Sequence, residues 1–219
     1  MTKKQKNIVL FDFDGTLSAG DANTAFWKYC FAHSLRPWLF LPAVLCGAAL
    51  SLVAEIRLKI MNRGPNPPFR VSRVDTLFRE LLRSYMTPAI VKKLAPRFVK
   101  QHMRERFGWA AEQVAKEKAA GNLVVCVSGS PDYLLPPLVM DMGFDLIICS
   151  QVDAKRPYKF IFFNWGWNKV LTLGAAFGPS LKKRVVRAYS DSRSDIPMMN
   201  LAREKIWIDK RTGTRKNAA

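Results

Sequence analysis

The chain has few acidic residues for its length. Its 219 residues include 17 Asp and Glu against 35 Lys and Arg, so the formal net charge is +18. Such a charge predicts attraction to anions: nucleic acid, an acidic membrane or a phosphorylated substrate. The basic residues are spread along the chain without the interleaved aromatic residues of a nucleic-acid recognition motif, so we do not expect nucleic acid to be a partner.

Cysteines are also few, and they stand at Cys30, Cys46, Cys126 and Cys149. Their spacing matches no zinc-binding pattern, and three of them lie among apolar residues. They are typical of reduced, buried thiols in a cytoplasmic protein. We expect no cleavable signal peptide before the first apolar run, since the lysines of residues 3–6 lead directly into Ile8.

Apolar runs typical of buried strands alternate with helical patterns. The predicted strands cover residues 7–13, 123–127, 144–148, 160–163 (an edge strand), 185–190 and 205–208. The predicted helices cover residues 21–34 with Asp21 as the N-cap, 72–119 with breaks at Pro88 and Pro96, and 168–178. This alternation predicts an α/β fold with a doubly wound parallel sheet, whose ligands bind at the carboxyl ends of the strands. The basic tail after Asp209 is expected to fray.

Two carboxylates end the first predicted strand. The apolar residues 8–11 are followed by Asp12-Phe13-Asp14-Gly15-Thr16-Leu17. Buried carboxylates are costly unless they are paired or bind a metal, so core packing does not explain them. Gly15 can take the positive φ that turns the chain sharply after a strand. The pattern therefore indicates a functional site rather than an ordinary Asp-Gly turn.

Polar residues also follow two other predicted strands. Ser128-Gly129-Ser130-Pro131 comes after 123–127, and we predict that Ser130 caps a helix there with Pro131 at its first position. A helix N-terminus after a glycine binds phosphate readily. Asp191 ends the strand at 185–190, and Asp195 follows four residues later, where it could hold the loop or orient a metal-bound water.

A phosphoryl site crowded with carboxylates needs a fixed cation. Lys169 stands 22 residues before Asp191 and is the first candidate. Lys155, Lys159 and Lys182 are the alternatives.

Together these motifs resemble those of the haloacid dehalogenase superfamily of phosphatases, over residues 7–17 and 122–209. The resemblance implies that Asp12 is the nucleophile and Asp14 the general acid and base. It implies phosphate binding by Ser128, Gly129 and Lys169, Mg²⁺ binding by Asp12, Asp14 through its backbone carbonyl and Asp191, and an accessory role for Asp195. The chain departs from the family where Trp167-Asn168 stands in place of the Gly-Glu that relatives often have.

The chemistry of these residues agrees with that resemblance. Phosphoryl transfer depends mainly on positioning and charge stabilisation, so a carboxylate such as Asp12 can serve as nucleophile and form an aspartyl-phosphate. Asp14 must be protonated to assist the leaving alkoxide, and we expect neighbouring carboxylates to raise its pKa. A second carboxylate at this spacing indicates a phosphatase or phosphotransferase rather than a dehalogenase.

The resemblance also implies a helical cap at residues 18–110, inserted into a core formed by 1–17 and 111–219. The uncharged stretch 37–54 is its unusual part. A single membrane span there would separate Asp12 from Asp191 by a bilayer and destroy the site. A buried cap helix, an interfacial or re-entrant helix, and an oligomer contact remain as alternatives.

An apolar cap with flanking basic residues suits an anionic phospholipid surface. The chain is similar to the phosphatidylglycerophosphatase C branch, which implies a lipid phosphate as substrate and a peripheral position on the cytoplasmic face of the inner membrane. One alternative is a phosphatase for a small soluble phosphate such as phosphoserine, with Glu55 and Arg57 recognising the amino acid. An alternative from another class is a non-enzymatic basic adaptor that binds membrane or RNA, and the complete carboxylate set argues against it.

Overall fold

The computed structural model describes residues 5–34, 49 and 86–216. The predictions for the apolar stretch 37–54, for Cys46 and for the pair Glu55 and Arg57 therefore lie outside the described residues. Among the residues that are described, no helix is long and apolar enough to cross a membrane.

A six-stranded sheet forms the centre of the described chain. Its strands are β1 (Ile8–Phe11), β2 (Leu123–Pro131), β3 (Leu146–Asp153), β4 (Arg156–Phe162), β5 (Val185–Ser190) and β6 (Glu204–Trp207). They lie in the order β4-β3-β2-β1-β5-β6, and every neighbouring pair is parallel except β3 and β4. The predicted α/β fold is confirmed. The predicted edge strand is present, but it begins at Arg156 and runs antiparallel, because a turn as tight as residues 154–155 can join only antiparallel strands.

Helices cover both faces of the sheet. They are α1 (Ala22–His33), α2 (Pro88–His102), α3 (Ala110–Ala119), α4 (Leu135–Val139), α5 (Trp167–Phe177), α6 (Leu181–Arg184) and α7 (Ile196–Met199). The central strand β1 is fully buried, with Val9 and Phe11 facing α1 to α4 and with Ile8 and Leu10 facing α5 to α7. This two-sided burial explains why β1 is an uninterrupted apolar run.

The two predicted proline breaks have different outcomes. A helix boundary does stand at Pro88, because Met86 and Thr87 are outside any helix and α2 starts at Pro88 with Thr87 as its N-cap, in a first turn that needs no N–H partner. The break predicted at Pro96 is wrong. Pro96 lies inside α2, which continues to His102. The apolar face of α2, including Leu94 and Phe98, is buried in the core, and this packing offsets the hydrogen bond lost at the proline.

Two other local predictions were also wrong. Strand β2 continues through Pro131, which pairs with Ser150 of β3, so Ser130 caps no helix and α4 starts only at Leu135. The basic segment after Asp209 is ordered as far as residue 216. A backbone hydrogen bond of 2.7 Å from the Lys216 N–H to the Trp207 carbonyl closes it into a loop.

The free thiols agree with the prediction where they are described. Cys30 and Cys126 are buried and Cys149 is half-buried.

Candidate active site

Asp12 lies directly after β1 and is bound by a buried cation. Lys169, in the first turn of α5, places its Nζ 2.8 Å from Asp12 Oδ1 and 2.8 Å from Asp195 Oδ2. All three side chains are almost completely buried. Among the candidate lysines, Lys169 is therefore the one that the fold brings to the carboxylates.

Thr16 joins the loops after β1 and β5. Its hydroxyl donates to Asp12 Oδ2 at 3.0 Å, lies 3.3 Å from Asp191 Oδ1 and accepts the Asp191 N–H at 3.0 Å. Gly15 has φ +73°, as the motif predicted, and a Cβ there would lie 2.5 Å from Asp191 Oδ2. The glycine is therefore needed both for the turn and for the close approach of the second loop.

Asp14 accepts three hydrogen bonds. The Ala22 N–H at the start of α1 donates to Oδ1 at 2.7 Å, and the hydroxyls of Ser128 and Ser130 donate to Oδ2 at 3.0 and 2.7 Å. Ser128, predicted as a phosphate ligand, thus orients Asp14 in this structure. Gly129 lines the cavity above it.

Burial dominates the acidity of these carboxyl groups. It raises the pKa of Asp12 to about 7, with Lys169 opposing the rise and Asp195 and Asp14 adding to it. It also raises the pKa values of Asp14 and Asp191. A raised pKa of Asp14 was predicted from its carboxylate neighbours. Its main cause is burial instead, and the carboxylate that adds to the rise is Asp21.

Sequence reasoning missed Asn164, which is completely buried beside the site. Its side-chain amide donates to the Ser128 carbonyl at 3.1 Å, and its N–H donates to Ser150 Oγ at 2.9 Å. Ser150 Oγ in turn donates to the Gly129 carbonyl at 2.7 Å. Asn164 therefore fixes the end of β2 that carries the serines. A polar residue five positions before Lys169 was a weak signal for this role.

A cavity of about 800 Å³ opens over the carboxylates. One wall is aromatic and consists of Phe160, Phe163 and Trp165; another side carries Lys210 and Arg211. The Phe160 and Phe163 ring centroids are 4.9 Å apart. None of these five residues was predicted. The basic pair had a signal in the sequence, because it directly follows the last strand at the carboxyl edge of the sheet.

The site suits a divalent cation on charge grounds. Asp12, Asp14, Asp191 and Asp195 all line the cavity with Lys169 as the buried cation among them. Within residues 5–34 and 86–216, no three acidic, His or Cys side chains are placed to hold a metal together. Asp12 and Asp191 converge on Thr16, whereas the Asp14 side chain points to the serines, so a third protein ligand near Asp14 would be its backbone carbonyl.

Aspartates cluster at the carboxyl ends of β1 and β5, and Lys169 reaches them from α5. This arrangement defines an α/β enzyme with an acidic site. The chain belongs to the haloacid dehalogenase-like hydrolase family, whose sequence profile matches residues 9–200.

Similar proteins span most of the chain. A Mycobacterium tuberculosis protein named probable phosphatase is 25% identical over 233 residues, covering 99% of this chain and 73% of that protein. The protein CicA of Caulobacter vibrioides is 28% identical over 211 residues, covering 90% and 84%.

Solved structures share the fold. A protein of unknown function from Bordetella pertussis Tohama I matches with a TM-score of 0.65 and 20% identity over 93% of this chain and 91% of that chain. A phosphoserine phosphatase, solved as a phospho-aspartyl intermediate analogue, matches with a TM-score of 0.55 and 18% identity over 94% and 87%.

Proposed function

We propose that the chain is a Mg²⁺-dependent phosphomonoesterase that acts through a phosphorylated Asp12. The observation that carries this proposal is the contrast between two carboxyl groups on one cavity. Burial raises the pKa of both, but Asp12 is bound by the Lys169 ammonium at 2.8 Å, whereas Asp14 accepts from the Ser128 and Ser130 hydroxyls and has no lysine or arginine within salt-bridge distance among the described residues. Two carboxyl groups in different environments suit a nucleophile and a general acid.

The two groups would act in sequence. Asp12 attacks phosphorus and forms the acyl phosphate, while the bond to the leaving oxygen breaks and Asp14 gives that oxygen its proton. Asp14 then removes a proton from the water that attacks the phosphoryl group, which releases phosphate and regenerates Asp12. Lys169 stays bound to Asp12 and Asp195, so its charge is fixed beside the reacting group.

Asp12, Asp191 and the Asp14 backbone carbonyl are the proposed Mg²⁺ ligands. When bound there, Mg²⁺ would supply positive charge to the phosphoryl oxygens and counter the excess of carboxylates. Thr16 contributes by holding the Asp12 and Asp191 carboxylates toward each other.

A phospholipid phosphate, such as phosphatidylglycerophosphate, is the substrate that we propose. The aromatic wall of the cavity offers an apolar surface beside the reacting group, and Ile161, Trp167 and Leu171, which are close to that wall in sequence, are 63 to 70% exposed. Exposed tryptophans are typical of side chains at a membrane interface. The net charge of +18 would attract an anionic membrane surface, which we propose as the partner.

Two comparisons support the reaction without selecting the substrate. One relative bears the name probable phosphatase, and one similar fold is that of a phosphoserine phosphatase. Phosphoserine is therefore the alternative substrate to test.

The test is phosphate release from phosphatidylglycerophosphate in mixed micelles, beside phosphoserine at equal concentration, each with Mg²⁺. We expect release from the lipid. The Asp12→Asn variant should fold and release none, because an amide cannot act as the nucleophile. Release from phosphoserine alone would replace the lipid with the amino acid, and wild-type rates in Asp12→Asn would refute the mechanism.

A further inference from the structure

A second, smaller cavity adjoins the active site on the side of Asp191. It has a volume of about 370 Å³. It shares Asp191, Ser192, Lys210 and Arg211 with the larger cavity, so these residues lie between or along both. Its other lining residues are Arg193, Asp209 and Lys216.

Four cationic side chains line this cavity beside the carboxylates of Asp191 and Asp209, so cations outnumber carboxylates by four to two. Among the described residues, Arg193, Lys210, Arg211 and Lys216 form no salt bridge. Asp209 turns its carboxylate to the loop backbone, where the Arg211 and Thr212 N–H groups donate to it at 2.8 and 3.2 Å. Unpaired arginines and lysines around one concave surface are well suited to a phosphate group.

The loop that carries Lys210, Arg211 and Lys216 is ordered by its own backbone hydrogen bonds and by one from Trp109. The Asp209 N–H donates to the Thr214 carbonyl at 2.8 Å, and the Gly213 N–H donates to the Asp209 carbonyl at 2.7 Å. Trp109 Nε1 donates to the Gly213 carbonyl at 2.7 Å. Because these bonds already order the loop, a ligand would lose little binding free energy in fixing it.

We propose that this cavity binds a second phosphate group of the substrate, so that the substrate class is a phosphomonoester with another phosphate on the same molecule. The inference rests on the proposed function, because the reacting phosphate is taken to lie on Asp12. The two cavities adjoin at Asp191, so one molecule with two phosphate groups would place one of them in each.

The test compares two small substrates that differ only in the second group: 1,3-propanediol bisphosphate and 1,3-propanediol monophosphate. We expect a kcat/KM ratio that favours the bisphosphate by about tenfold or more, equivalent to about 1.4 kcal/mol. The double variant Lys210→Gln, Arg211→Gln should reduce this ratio to near one. The control Lys182→Gln, Lys183→Gln removes the same charge from exposed positions of α6 and should leave the ratio unchanged.

Binding to the Asp12→Asn protein, measured by calorimetry, separates this inference from the chemistry. Tighter binding of the bisphosphate, lost with Lys210→Gln, Arg211→Gln, would support the second site even if neither compound were hydrolysed. Equal binding of the two compounds would overturn it. A third arm adds phosphatidylglycerol vesicles to the monophosphate. Activation there, lost in the double variant and without any bisphosphate preference, would show that the loop binds membrane and would also overturn the inference.

Discussion

One ammonium group, that of Lys169, serves two buried carboxylates. Burial lowers the pKa of Lys169, but Asp12 and Asp195 outweigh this effect and raise it overall. The lysine is therefore charged, and it favours the anionic form of Asp12 against the burial that raises the pKa of that carboxyl. Its position in α5 also sets where Asp195 lies, so the three residues act as one unit.

Replacement of Lys169 by Met should abolish this balance. We expect activity to fall by about 10²-fold or more and stability to fall by about 3–5 kcal/mol, the cost of leaving buried charges unpaired. The pKa of Asp12, already raised by burial, would rise further in the folded state without Lys169, so the folded protein would bind more protons than the unfolded chain. The stability difference from wild type should therefore grow as pH rises above about 4. Urea unfolding between pH 4 and 8 measures it.

The double variant Lys169→Met, Asp195→Asn is the matched control. It removes one of the two stranded charges, so stability should recover in part while activity stays low. If Lys169→Met alone retained wild-type stability at pH 8, the ion pair would not have the role assigned to it.

The residue types of the site could be predicted, but their partners could not. Asp12, Asp14 and Asp191 were predicted because carboxylates after apolar strands have no packing role. The hydrogen bond from Ser128 to Asp14 depends on β2 continuing past Ser128, which Pro131 concealed. The aromatic wall was missed because Phe160 and Trp165 belong to an edge strand and its following loop, where apolar residues are usually packing.

At the scale of elements, the loop 209–216 depends on Gly213. This glycine has φ +70°, and a Cβ there would lie 2.4 Å from Phe107 Cδ1. Neither the positive φ of Gly213 nor its contact with Phe107 could be predicted from the basic tail, because Phe107 is distant in sequence.

Gly213→Ala should therefore destabilise the protein by more than the cost of a positive φ alone, which is about 1 kcal/mol. It should also weaken the preference for a bisphosphate, since Lys210 and Arg211 would move. Gly121→Ala is the control, because Gly121 has φ +81° with open space around its Cβ. Thermal unfolding of both variants measures the difference, and equal losses would contradict the predicted clash.

An ion pair ties the turn that follows α4 to the segment after α2. Arg106 donates to Asp141 Oδ2 at 2.9 Å and to Oδ1 at 2.7 Å. This hydrogen bonding lowers the pKa of Asp141 below its ordinary value of 3.8. Arg106 also donates to the Leu138 carbonyl, so one side chain binds both the last turn of α4 and the residue Asp141 that follows it.

The pair should contribute stability only while Asp141 is ionised. A lowered pKa in the folded state means that this contribution is present above about pH 4 and is lost as pH falls through the folded value. Asp141→Asn should cost up to about 1 kcal/mol at pH 6, since Asp141 is half-exposed. The difference from wild type should shrink as pH falls below about 4 and through the lowered folded pKa of Asp141, as urea titrations would show. A constant difference at all pH values would assign the loss to packing instead.

Helix and strand positions were predicted better than their ends. Apolar runs predicted each described strand of the sheet, and the signal was strongest in β1 and β2, which are buried on both faces, whereas the edge strands β4 and β6 are partly exposed. The course of α2 through Pro96 could not be predicted, since it depends on the core that Leu94 and Phe98 enter. The direction of β4 likewise depends on a two-residue turn rather than on the strand's own composition.

For the whole molecule, the positive net charge makes thermal stability a specific test for Mg²⁺ binding at the site. A protein of charge +18 repels cations in general, so Mg²⁺ can stabilise it only by binding where carboxylates concentrate. We expect Mg²⁺ to raise the melting temperature of the wild type. At a hundredfold excess over Kd, the free energy of unfolding should increase by about 2.7 kcal/mol.

Asp191→Asn should abolish this response, whereas Asp153→Asn, on the distant β3–β4 turn, should retain it. Sodium chloride at the same ionic strength is the second control, because it screens repulsion without binding the site. An equal effect of both salts would mean that Mg²⁺ acts by screening alone.

The segment that leaves the sheet after β1 and the segment that returns toward β2 are hydrogen-bonded to each other. The Ala19 N–H donates to the Glu105 carbonyl at 2.9 Å, and the Phe107 N–H donates to the Leu17 carbonyl at 3.0 Å. Residues 20–104 thus begin and end at a single joint. Lengthening such an excursion is thermodynamically inexpensive, at about 0.6 kcal/mol per doubling. The two bonds therefore fix Leu17 and Phe107 relative to each other, so that a change in the length of chain between α1 and α2 need not disturb the loop that carries Asp12 and Asp14.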